Sequence, residues 1–175
     1  MHEKSISDEV VEQLVTTWHA TPALAVDRYL DVRAANALAS ETLGLRTGVN
    51  LARLLYLEPG TLLGGVSNLE LRQAVAGALR EAVERYGPDA RFESVVGELL
   101  ALSPTFGTDF ERWPASRPIG RLKCSAFAGR QLDFSFFDAP ATAELRLVVL
   151  RAFPSGLGPP SGSSGSPRSE AAAGS

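Results

Sequence analysis

Apolar residues recur at every second position near the two ends of this chain and at every third or fourth position between them, so strands are expected to flank a helical middle. In residues 21–36, TPALAVDRYLDVRAAN, Leu24 and Val26 alternate with Ala23 and Ala25. Asp27 and Arg28 supply a turn, and Leu30, Val32 and Ala34 then alternate with Tyr29, Asp31 and Arg33. This spacing predicts a hairpin that runs into a helix capped by Asn36. Ahead of it, Val10, Val11, Leu14, Val15 and Trp18 fall on one helical stripe behind Ser7 as a cap, with Asp8 and Glu9 suited to the positive end of the helix dipole.

The middle is punctuated by caps and stops. A short helix is expected from Asn36 through Leu43 to Gly44, and a second, carrying Leu51, Leu54 and Leu55, from Asn50 to Glu58-Pro59-Gly60. Ser67 and Glu70 have capping-box spacing ahead of a longer helix lined by Leu71, Val75, Leu79, Val83 and Tyr86 and stopped at Gly87-Pro88. Asp89 opens the next helix, with Phe92, Val95, Val96, Leu99 and Leu100 on its apolar face. Ser103-Pro104 begins a third, with Phe106, Phe110 and Trp113 inward and Pro114 at its close.

Period two then returns. Leu122, Cys124 and Ala126 alternate with Arg121, Lys123 and Ser125; Gly129 turns the chain; Leu132, Phe134 and Phe136 alternate with Gln131, Asp133 and Ser135. Residues 145–153, LRLVVLRAF, are apolar almost throughout, as befits a central strand covered on both faces. Two strands, then helices, then three strands predict an α+β fold: one five-stranded antiparallel sheet with helices on one face, the last strand beside the first, and an added N-terminal helix.

Composition narrows the function. With 175 residues, 45% of them hydrophobic, the chain has enough apolar material for one sizeable core. A net charge of −3 gives no overall footprint for phosphate backbones. The single cysteine, Cys124, leaves no internal disulfide and fits a cytoplasmic setting as a small strand filler. The start, MHEKSISDEVVEQL, lacks the basic and then apolar pattern of a secretory signal, and no apolar run approaches the roughly 20 residues that span a bilayer. From Pro154 onward Gly, Ser and Pro dominate, so the organisation expected is a helix in 1–20, a globular unit in 21–154 and a disordered tail in 155–175.

Chemistry-bearing motifs are few. His2 and His19 have no nucleophile or carboxylate arranged around them, Gly64-Gly65 lacks the Lys and Ser/Thr of a phosphate loop, and no paired-His metal spacing occurs. No cofactor is expected, and no enzyme activity. Leu51, Leu54, Leu55, Phe106, Phe110, Trp113, Phe127, Phe134 and Phe136 exceed what a sheet with one helical layer strictly requires, and so are candidates to line an apolar cavity. A buried acyl chain there would gain about 0.8 kcal/mol per methylene. An acidic head group would want a cation, for which Arg33, Arg53 and Arg121 are the candidates. Asn36 and Asn50 are better explained as caps than as ligand contacts.

The strings TPALAVDRYLDVRAAN, GVNLARLLYLEP, LRQAVAGALREAVERYGPD, FESVVGELLALSPTF, GRQLDFSFFDAP and LRLVVLRAFPSG, in this order from Pro22 to Pro154, resemble the ligand-binding domain of MmyB-like transcription regulators. Two places depart from the family pattern: Ser67-Asn68 stands where an aromatic is usual, and Glu111-Arg112-Trp113-Pro114 replaces a Trp-led version. The resemblance implies a PAS-like domain that senses a small hydrophobic molecule, fatty-acid-like or antibiotic-related. It also implies an XRE-type helix-turn-helix that carries DNA binding. Residues 1–20 are too short for such a motif, so DNA contact is expected only through a domain absent from these residues, whether this is an effector domain cut from a longer chain or a free-standing relative. Two other readings remain: a cone-shaped α+β barrel enzyme with Asp31 or Asp133 as base, and a dimerisation module in which the leading helix and Trp18 pack against a second copy.

Overall fold

The β1–β2 hairpin, Ala23–Val26 and Val32–Ala35, is where the polypeptide commits to its sheet, and its turn is wider than the alternation implies. In the computed structural model, which describes residues 6–58, 69–115, 120–125, 131–138 and 145–153, the turn takes in all of Asp27 to Asp31. The Asp27 side chain is the reason. Its Oδ1 accepts the backbone N–H groups of Tyr29 (2.9 Å) and Asp31 (3.0 Å), which takes those residues out of strand pairing. Tyr29 and Leu30 therefore belong to the turn, and Leu30 adopts a left-handed φ of 66°.

The helices are α1 (Ile6–Thr16), α2 (Ala37–Leu43), α3 (Leu51–Leu57), α4 (Leu69–Tyr86), α5 (Ala90–Leu102) and α6 (Pro104–Arg112), followed by β3 (Gly120–Ser125), β4 (Gln131–Asp138) and β5 (Arg146–Phe153). Four caps act where the sequence places them: Asn36, Asn50, Asp89 and Ser103 each accept a backbone N–H three residues on. Gly44 and Gly87 have φ of 67° and 79°, the left-handed values that end α2 and α4 at little steric cost. Ser7 is not a cap, because α1 is already helical at Ile6. The expected Ser67–Glu70 capping box, the Gly129 turn and the tail from residue 155 lie outside the described residues.

The sheet is antiparallel with strand order β2-β1-β5-β4-β3, which sets β5 between β1 and β4. Val148 opposes Leu24, and Val149 opposes Ala23. Both faces are covered, which is why all four residues of β1 are buried. On one face Leu24, Val26, Val32, Phe136 and Val148 pack against Leu51, Leu55, Leu71, Leu79, Val95, Leu99 and Phe106 of the helical layer. On the other, the small side chains of Ala23, Ala25 and Ala34 let α1 come close, and Val11 and Val15 fill the contact with Leu147 and Val149. Helices thus lie on both faces. Each fully buried valine or leucine contributes on the order of 1.5–3 kcal/mol.

Two corrections to the apolar stripes follow. Val10 and Leu100 are about half exposed, since a stripe wide enough to include them exceeds the arc that the sheet or the neighbouring helices cover. The apolar face of α1, with Trp18 at its end, is spent on the chain's own sheet, so the helix is not a free surface for a second copy. The joint between α1 and β1 is held by Asn36. Its Nδ2 donates to the carbonyls of Trp18 and Thr21 (2.8 Å each), while its Oδ1 accepts from Ala23 N (3.2 Å) and Ala39 N (2.9 Å). A buried amide with all four bonds made is a rigid fastening.

Candidate ligand-binding region

α3, α4 and α6 bring their inward side chains together over the sheet. Leu51, Leu54 and Leu55 are buried on α3, and Phe106 on α6 is fully enclosed. The Tyr56 ring meets Phe106 edge-on at 5.0 Å between centroids, and Phe106 stacks on Phe110 at 5.3 Å. Phe136 reaches the same cluster from β4. Register places Phe134 opposite Leu122 and Leu150 in the neighbouring strands. Phe127 and the side chains of Phe134 and Arg121 lie outside the described residues. The structure thus gathers Leu51, Leu54, Leu55, Phe106, Phe110 and Phe136 into one apolar body, with Phe110 at its edge.

Trp113 closes α6 and is half-buried. Its indole Nε1 is shut off from solvent and has no hydrogen-bond acceptor among the described residues. A buried donor in that condition costs free energy until an acceptor arrives.

The two arginines whose positions are described do not converge on this cluster. Arg33, on β2 of the hairpin, is about half exposed and 3.7 Å from Asp27, and Arg53 pairs with Glu98 across α3 and α5. The charged groups nearest the aromatic rings are ones the sequence reading passed over. Asp109 lies buried on α6; its Oδ2 accepts a hydrogen bond from the Tyr56 hydroxyl (3.0 Å) and sits 3.0 Å from Arg72 Nε. Burial, and then the Asp109 charge, push the Tyr56 hydroxyl well above the usual tyrosine range, so it remains a donor. A signal was present: Phe106, Asp109, Phe110 and Trp113 share the i, i+3, i+4, i+7 spacing, which puts Asp109 on the inner stripe. Arg80 of α4 was missed too. Its Nη1 donates to the carbonyls of Phe110 (2.9 Å), Glu111 (3.2 Å) and Trp113 (3.3 Å), capping α6 from a neighbouring helix.

Asp31 is held by polar partners among the described residues. Arg91 grips its carboxylate with both Nε and Nη2 (2.9 and 2.7 Å), and Asn50 Nδ2 donates to it at 2.8 Å. A carboxylate so engaged is a structural anchor rather than a base. The side chain of Asp133, the other residue considered for that role, lies outside the described residues. Among the described residues no three His, Cys, Asp or Glu side chains are grouped to hold a metal ion, and no helix is long and apolar enough to cross a membrane.

The fold, the apolar cluster and the order of elements can be set against known proteins. No curated protein matches the chain. A family model does, from residue 8 to residue 156, which takes in most of α1 and every later element through β5. On that match, which runs over most of its length, the chain belongs to the MmyB-like transcription regulator ligand binding domain family.

Proposed function

We propose that this chain is the sensing part of a transcription regulator and that it holds a small hydrophobic molecule with an acidic, fatty-acid-like end. The family is one of ligand-binding domains, which supports the general role. The strand order β2-β1-β5-β4-β3 with five helices on one face supports a PAS-like reading, in which the ligand lies between sheet and helical layer. In this reading residues 21–154 are the ligand-binding unit, α1 is an accessory helix, and DNA is reached in the cytoplasm only through a separate domain.

The observation that carries the acidic end is Trp113. Its buried indole N–H has no acceptor among the described residues, lies at the close of the helix that carries Phe106 and Phe110, and would gain a hydrogen bond from a ligand carboxylate. The acyl chain would run along Leu54, Leu55 and Phe136. The test is thermal unfolding with a series of medium- and long-chain fatty acids and the matching alcohols. At a concentration 100 times Kd a bound acid stabilises by about 2.7 kcal/mol. Trp113→Phe should weaken the acid about 10- to 100-fold and the alcohol by less, since a hydrogen bond to a charged group contributes about 1.5–3 kcal/mol and a neutral one about 0.5–1.5 kcal/mol. No rise in Tm with any acyl compound overturns the hydrophobic ligand; equal loss of acid and alcohol in the variant overturns the role of Trp113.

A further inference from the structure

The apolar cluster over the sheet is closed, with no exposed surface on Phe106, so a ligand that reaches it must move a side chain. A cleft of about 450 Å³ lies between the later turns of α4 and the last turn of α6, lined by Arg80, Val83, Glu84, Phe110 and Glu111. Phe110 belongs to both places. Its half-buried ring lines the cleft and stacks on Phe106 at 5.3 Å. The last turn of α6 is held from α4 by Arg80, whose guanidinium carbon lies 5.7 Å from the centre of the Phe110 ring. Its Nη1 carries two protons yet serves three acceptors, the carbonyls of Phe110, Glu111 and Trp113 at 2.9, 3.2 and 3.3 Å. The protons are shared, so the hold is looser than three full bonds. Glu81, Glu84 and Glu111 are matched by Arg80, Arg85 and Arg112 over the same turns, so the mouth is close to neutral and does not turn back an acid.

On the reading of an interior fatty-acid-like ligand, we infer that this cleft is its entrance: the last turn of α6 swings away from α4, Arg80 releases the three carbonyls, and Phe110 leaves Phe106 to let the acyl chain pass. The chain goes in first. The carboxylate, costly to desolvate, follows last and stops beside the indole N–H of Trp113, which closes the same helix and has no acceptor among the described residues. Arg80 is thus a positioning residue that acts through α6 as a latch, made before entry and after it and broken only during passage. Its removal lowers the barrier equally from both sides, which speeds exchange and leaves affinity unchanged.

Stopped-flow fluorescence with cis-parinaric acid, a fatty acid that brightens on burial, gives the association rate, and displacement by excess oleate gives the dissociation rate. Arg80→Gln should raise both rates about tenfold, the effect of losing a hydrogen bond to a charged group, with Kd within about twofold of the unaltered protein. A residue that merely supports the fold would weaken Kd through dissociation alone. Val83→Trp narrows the cleft from its other wall without touching the latch, and should slow both rates in equal proportion. Circular dichroism verifies both folds, and should Arg80→Gln fail to fold, Val83→Trp, a half-buried position with open space before it, decides alone. Failure of the unaltered protein to bind parinarate counts against the interior position itself and overturns the entrance with it. Binding with rates unchanged in a folded variant, or a change confined to dissociation, overturns the entrance and leaves the interior position standing.

Discussion

The hydroxyl of Tyr56 on α3 donates to the carboxylate of Asp109 on α6 across 3.0 Å of closed interior, with the Arg72 guanidinium on the far side of the same oxygen. Three helices are joined at one atom. A buried carboxylate is tolerable only with such compensation, and the pairing gives the helical layer a single register over the sheet. The rings that build the apolar cluster are set by the same contact, since Tyr56 carries the edge that meets Phe106.

Removing one partner therefore hurts more than removing both. Asp109→Ala leaves Arg72 half-buried beside a void and should destabilise by about 3 kcal/mol or more in urea unfolding. Tyr56→Phe keeps the ring contact and loses one hydrogen bond, at a cost of about 1–2 kcal/mol. A double change of Asp109→Leu with Arg72→Met should recover much of the single-variant loss. Additive losses in the double variant would show that the pairing contributes nothing of its own.

The hairpin turn and the start of α5 exchange charges in both directions. Arg28 of the turn meets Asp89 at 2.8 Å, and Asp31 of the turn takes the two-pronged grip of Arg91. The Tyr29 hydroxyl also donates to Asp89. That bond first, and the backbone N–H of Phe92 next, hold the Asp89 carboxyl below the usual carboxylate range. A depressed folded value means that the stabilisation from Asp89 is present above the unfolded value of about 3.9 and is lost as pH falls through the folded one. Asp27 runs the other way. Burial raises its carboxyl, so the fold favours its protonated form and stability declines as pH rises from about 3.9 through the raised value. Asp89→Asn keeps a competent cap and should flatten the acid limb of stability against pH; Asp27→Asn should remove the decline just above it. Profiles unchanged in both variants would exclude the turn as a source of pH dependence.

Much of this architecture is legible from residues alone because local and tertiary forces agree in it. Asn36, Asn50, Asp89 and Ser103 are cap residues in front of amphipathic runs, and all four cap. The near-continuous apolar run at 145–153 marks β5 as interior, and it lies between two strands with helices on both sides. What failed to show has a physical cause. Leu30 continues the alternation and so reads as strand, yet a side-chain oxygen three residues earlier captures the backbone of its neighbours. Ala23 and Ala25 read as the indifferent face of a hairpin and Ala34 as the end of the Leu30–Val32 stripe, although the small size of all three is what admits α1. In the ligand region the apolar members were visible as surplus, and spacing alone puts Asp109 on the inner stripe of α6; its partners Tyr56 and Arg72, and the role of Arg80, were not visible, because pairing between helices leaves no trace in linear spacing.

Leu30 itself offers the sharpest test of the turn. It is buried, its N–H donates to Asp27 at 3.0 Å, and its carbonyl accepts from Leu51 at 2.9 Å, so the surroundings dictate a left-handed backbone on a residue that pays about 1–2 kcal/mol for it. Leu30→Ala and Leu30→Gly both remove the buried side chain, a loss of about 2–5 kcal/mol. They differ in the backbone. Alanine keeps the strain that leucine bears, whereas glycine adopts φ of 66° freely and gives back part of it against its larger unfolded-state entropy. The glycine variant should therefore be the more stable of the two by about 0.5–1 kcal/mol, the reverse of the order that these residues show in ordinary strands and helices. Urea midpoints for the pair decide it: an alanine variant equal to or more stable than the glycine one would mean that the turn relaxes away from the left-handed conformation once the side chain is gone.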